Sequence, residues 1–237
     1  MLTLKYENNV GRWLIAFFFV TVIIEITSEV LLDHLLLFIF KPLISIGIMA
    51  LYWNASTERT ILFFVVLSLS LVTNLFFISK VENLLLIGLL VFLVHRLLII
   101  YYVARLIKLT DYVPVLIAMT PFLFIFSYLL LITTEINTSS YVILIFQNLL
   151  ISVIGGLTLS AYVMNYNKTN SWLFIFGLLS VMQYFIVFIE KYYLLNMAPI
   201  AFRPLAMLLN AGVYYTFYRF VIDVETKPVK GIVLNNN

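Results

Sequence analysis

The sequence predicts an all-α, polytopic membrane bundle of about eight transmembrane helices, with the N- and C-termini both cytoplasmic. Of its 237 residues, 64% are hydrophobic and only 11% charged, and the mean hydropathy is +1.10; a soluble domain is roughly 45–50% apolar. Short polar breaks divide the chain into eight runs near the about 20 apolar residues that a spanning helix requires. Runs such as "LLLIGLLVFLV" lack the apolar–polar alternation of a membrane β-barrel. Helices are then the remaining spanning solution, because lipid cannot satisfy open backbone groups.

In order, the predicted spans are 13–28, 35–53, 60–78, 84–103, 113–133, 141–164, 171–189 and 198–222, within a single transmembrane domain covering 1–237. The first carries Glu25 about one turn below its outer end. It continues past the length of a signal-peptide core and has no small-x-small cleavage site, so it is read as a mature helix. The second begins with Lys41 and Pro42 in its first turns, where a missing amide hydrogen costs least. Asn74 lies near the outer end of the third, and His95 and Arg96 approach the midplane of the fourth. The sixth holds Gln147 and Asn148 two turns from its outer end and a Gly155-Gly156 pair suited to close helix approach. Gln183 lies in the outer half of the seventh, and Arg203 about one turn into the eighth, with Asn210 deeper. Trp13, Trp53, Tyr101, Tyr102, Trp172, Tyr192 and Tyr193 sit at run ends, as interfacial aromatic belts do.

The net charge of +3 points to topology rather than to nucleic acid. With the N-terminus inside, nine basic residues (Lys5, Arg12, Arg59, Arg105, Lys108, Lys168, Arg219, Lys227, Lys230) are cytoplasmic, and two, Lys80 and Lys191, are outside. That is the positive-inside bias. Glu29, Asp33, Glu82, Glu135 and Glu190 fall in the predicted outer loops, which leaves Glu25 as the one carboxylate read inside a span. Cysteine is absent and the two histidines, His34 and His95, are far apart, so neither thiol chemistry nor a metal site is expected, and no cofactor.

Ionisable groups inside a membrane face the bundle interior or a water-filled cavity. Glu25, Lys41, Asn74, Gln183 and Arg203 all fall in the outer half, with Arg96 deeper, so the polar residues converge on one leaflet. A Glu25–Lys41 ion pair across the first two helices is the expected centre of that convergence, and snorkelling to the interface is the competing expectation for Arg203.

The order of these features resembles the YhhN, or lysoplasmalogenase-like, family of eight-helix membrane proteins, whose characterised members hydrolyse the vinyl-ether bond of lysoplasmalogens. The similar stretches are the Lys-Pro of "KPLISIGIMA"; "SLVTN" (70–74) against a Ser-x-x-Gly-Asp; Gly88, Phe92 and His95 against a Gly-x-x-x-Phe followed by His; "GLLSVMQYF" against a Phe-x-x-Ser-Asp; and the tyrosines of "YYTFYRFVI". Both family aspartates are replaced: Asn74 stands at the first position and the Gln183–Phe185 neighbourhood at the second, while Arg96 takes the slot of the family's His, with His95 one place early. Vinyl-ether hydrolysis requires an acid to protonate the alkene carbon and a base to activate water. The resemblance therefore implies a kept fold in the bacterial inner membrane with its catalytic aspartates lost, and a lysophospholipid bound by Lys41, Asn74, Arg96, Gln183 and Arg203. The alternatives are an active hydrolase using Glu25 or His95, a membrane partner subunit, and a small-molecule transporter.

Overall fold

In the computed structural model, residues 9–31, 34–78, 82–107, 111–133, 138–194, 197 and 199–226 are described. Lys5, Asp33, Lys80, Lys108, Glu135, Lys227 and Lys230, used in the charge assignment, lie outside them. Eight helices form, α1 (Asn9–Val30), α2 (His34–Ala55), α3 (Ile61–Ile78), α4 (Glu82–Ile107), α5 (Val113–Ile132), α6 (Thr138–Met164), α7 (Lys168–Phe188) and α8 (Phe202–Glu225), and α7 runs on into a π-helical turn, Ile189–Tyr193. All eight are long and apolar enough to cross a membrane, and no strand occurs among the described residues.

The expected spans are recovered with three adjustments that matter for function. α1 extends to Val30 and so contains Glu29, and the π turn carries Glu190 and Lys191; all three were expected in outer loops. The charge-based boundary came too early because Arg203 compensates both carboxylates, so the helical backbone continues through them. α2 begins at His34, within a residue of the expected start, and Pro42 lies in the helix interior rather than in its first turns. There the ring leaves the carbonyl of residue 38 without its ladder donor. α8 begins at Phe202, later than expected, because Pro199 and Pro204 favour a helix start near them.

Consecutive helices pack as neighbours from α1 to α4; α6 packs on α4 and α7, α8 closes back on α1, and α5 lies outside against α6. A ring of seven helices results, with α5, the least buried span, as an outrigger on α6, and with α6 and α8 as the most buried spans. The α5–α6 contact depends on the glycine pair expected for close approach. A Cβ at Gly156 would stand 2.7 Å from the Met119 backbone nitrogen, and one at Gly155 2.8 Å from the Phe122 ring. Gly156→Ala is therefore expected to cost about 1–3 kcal/mol, the usual range for overpacking. The check is the thermal midpoint in detergent, and an unchanged midpoint would show that α5 yields freely.

One end of the ring is sealed. Tyr52 stacks on Phe63 at 3.8 Å and Phe63 on Phe217 at 5.6 Å, with Phe176 against Phe217 at 5.2 Å. Below this aromatic plug, Glu225 accepts from Tyr52 Oη and Ser56 Oγ, each at 2.6 Å, while Tyr52 Oη accepts from the Thr60 amide at 2.9 Å. Charge-assisted bonds of this length are the stronger class, and they tie the α2–α3 turn to the end of α8.

Candidate functional site

At the opposite end the ring opens into a cavity of about 390 Å³, within the roughly 300–1,000 Å³ of small-molecule sites. The C-terminal ends of α1, α3 and α7 and the N-terminal halves of α2, α4 and α8 enclose it, so charges far apart in sequence meet at one depth. Its acids are Glu25, Glu29 and Glu190, and its cations Lys41, Arg96, Lys191 and Arg203. Leu37, Phe77, Ile78, Leu85, Val187 and Met207 supply an apolar wall.

Arg203 bridges two helices. Its Nε donates to Glu190 Oε1 at 2.6 Å and its Nη1 lies 3.5 Å from Glu29 Oε1. Although 62% exposed, the side chain is held by both carboxylates rather than simply snorkelling. Glu29 and Glu190 are thereby committed to an internal cation, and so is Arg203.

Glu25 and Lys41 both border the cavity, but the expected ion pair between them is not formed. Glu25 is fully buried, and neither of its carboxylate oxygens has a hydrogen-bond partner among the described residues. Lys41 stands within electrostatic range of Glu25 and Lys191 without ion-pair contact to either side's carboxylates. One turn along α1, Glu29 rather than Glu25 meets a cation, and that cation, Arg203, comes from α8.

Arg96 is buried in the wall. Its guanidinium lies 4.3 Å from the Phe92 ring centre and 4.4 Å from that of Tyr184, and Nη1 donates to the Gln147 carbonyl at 3.3 Å. Tyr184 is fixed in turn by donating to Asn148 Oδ1 at 2.6 Å, and Asn148 donates to the Phe126 carbonyl. Gln147 donates to the Leu89 carbonyl at 3.1 Å. Gln147 and Asn148, counted in the sequence among the converging polar groups, thus act as glue between α4, α5, α6 and α7 behind the cavity and do not line it. His95 is also buried off the cavity, stacked on Phe92 at 5.8 Å with both ring nitrogens unpartnered. Adjacent residues on a helix point about 100° apart; Arg96 faces the cavity and His95 does not.

Asn74 lines the cavity, buried, with its amide nitrogen unpartnered. Nearby lining groups are already engaged: Ser70 Oγ with Tyr214 Oη, and Gln183 Nε2 donating to Asn210 Oδ1 at 3.0 Å. Of the residues expected at the site, Glu25, Lys41, Asn74, Arg96, Gln183 and Arg203 share the cavity and His95 does not. Glu29, Glu190 and Lys191 were missed. Lys191 lies 4.7 Å from the Phe77 ring centre at the rim. Among the described residues no cluster of three metal-ligating side chains occurs. No family model, curated protein or solved structure matches the chain.

Proposed function

We propose that this chain is a lysoplasmalogenase-like protein of the bacterial inner membrane that binds a lysophospholipid by its head group and does not cleave it. One observation carries the proposal: Lys41 and Lys191 share the cavity, and among the described residues neither is in ion-pair contact with a carboxylate, Glu29 and Glu190 being committed to Arg203. Cationic groups at membrane depth are costly until compensated, and a phosphate accepts several charge-assisted hydrogen bonds at once. The apolar wall of Leu37, Ile78, Leu85 and Met207 gives the start of an acyl chain a matching surface. The plugged opposite end favours a one-mouthed binding site over a conduit. Native mass spectrometry of the purified chain is expected to show one bound lysophospholipid. Lys41→Gln with Lys191→Gln should weaken its retention about tenfold or more, the scale of one charge-assisted bond. An adduct that survives both substitutions unchanged would reject the phosphate assignment.

A second function is favoured by one feature. Glu25 and Glu29 lie one turn apart on α1 and border the same cavity, so a carboxylate pair exists where the sequence offered one acid. In this alternative the chain is an active vinyl-ether lipid hydrolase with Glu25 as its acid.

A further inference from the structure

Glu25 is the unexplained group in the cavity wall. It is 0% exposed, both oxygens lack a hydrogen-bond partner, and the nearby cations leave it unpaired: Arg203 is held by Glu29 and Glu190, Arg96 by two rings and a carbonyl, and Lys41 is out of contact. A buried carboxylate is retained at such a place only when something compensates it. Around the same cavity stand further side-chain oxygens, the Asn74 carbonyl and the Ser70 and Tyr214 hydroxyls, the last two bonded to each other. Asn74 is itself only 8% exposed, and its amide nitrogen has no partner among the described residues; as a donor it suits a ligand's phosphate oxygen, whereas Glu25 suits a cation.

We propose that Glu25 receives a primary ammonium, so that the preferred head group is phosphoethanolamine rather than phosphocholine or phosphoglycerol. This rests on the lysophospholipid assignment above and specifies its head group. A primary ammonium brings three N–H donors to the carboxylate and its neighbouring oxygens. A quaternary ammonium has none and is held instead over open aromatic faces. Those faces are taken: Phe77 already carries Lys191 at 4.7 Å, while Phe92 and Tyr184 clasp Arg96 at 4.3 and 4.4 Å. Tyr214, the remaining aromatic lining residue, is buried with its hydroxyl on Ser70. A glycerol head group carries no cation and leaves Glu25 uncompensated. With the phosphate on Lys41 and Lys191, the ammonium of a phosphoethanolamine supplies the one charge that the protein does not.

The test is calorimetric titration of the full chain in an alkyl maltoside with lysophosphatidylethanolamine, lysophosphatidylcholine and lysophosphatidylglycerol of one acyl chain, and with free phosphoethanolamine. The ethanolamine lipid is expected to bind about tenfold or more tightly than the other two, as one charge-assisted contact requires, and Glu25→Gln should erase that ratio. Equal affinities for the three lipids in the wild type, or a ratio that persists in Glu25→Gln, would overturn the ammonium site while leaving lysophospholipid binding intact. Failure of all three lipids to bind would overturn both. Free phosphoethanolamine binding as tightly as its lipid would support the ammonium site and reject a lipid as its source. Because the wild-type ratio requires no substitution, a Glu25→Gln chain that fails to fold leaves the test decisive.

Discussion

Arg203→Ala is expected to lower the unfolding free energy by about 3 kcal/mol, the low end of the roughly 3–5 kcal/mol for removing one partner of a buried ion pair. The low end applies because the guanidinium is 62% exposed, whereas the Glu29 and Glu190 side chains that it neutralises are only 9% and 11% exposed. Removing Arg203 leaves two carboxylates together at the cavity end of the bundle, each without its cation and each repelling the other. The same substitution made on a Glu29→Gln, Glu190→Gln background is expected to cost less than about 1 kcal/mol, since no charge is then stranded. The difference between the two costs is the coupling energy, measured by a double-mutant cycle in mixed-micelle unfolding. If Arg203 did no more than snorkel to the interface, the cost would be small and identical on both backgrounds.

The fate of Arg203 also shows what a single sequence exposes and what it hides. Span number and order were legible because bilayer thickness imposes a length and lipid forbids unpaired backbone; all eight helices fall where apolar runs predicted them. That the polar residues gather at one end of the bundle was legible too, since helix direction alternates and depth follows from position along each run. Partners were not. Glu29, Glu190 and Lys191 look like loop residues when a span is ended at a charge near its edge, and only the neighbouring helices reveal that the two carboxylates are compensated and that Lys191 lies over a ring. Rotation about each helix axis was equally hidden: His95 and Arg96 are adjacent, yet one faces packed side chains and the other the cavity. Weak amphipathic patterning makes this unavoidable in lipid, where the outward face is as apolar as the core. The Phe92–Arg96 half of the arginine clasp is readable as an i,i+4 pair, but Tyr184 comes from α7 and carries no local sign of its role.

Catalysis is where the largest effect is expected. Purified wild-type protein should release no aldehyde from a lysoplasmalogen above background, even where the proposed head-group binding is measurable. Asn74 has the shape of an aspartate but neither gives nor takes a proton near neutral pH, and Glu29 and Glu190, the acids that the sequence placed outside the helices, are occupied by Arg203. Proton transfer by a positioned group contributes typically 10²–10⁴-fold each, so the absence of two leaves a deficit of about 10⁴-fold or more. The structure also narrows where acids must be restored. Tyr184 lines the cavity, whereas Phe185 does not and is 38% exposed on the bundle surface, so Asn74→Asp belongs with Tyr184→Glu and not with a change at Phe185. An acid at position 184 would face the Arg96 guanidinium that now lies against the Tyr184 ring, giving it a defined orientation. Aldehyde release that appears in this double variant and stays absent in a Phe185→Glu counterpart would identify the two missing acids as the cause of inactivity. Robust wild-type turnover abolished by Glu25→Gln would overturn the non-catalytic assignment and make Glu25 the catalytic acid.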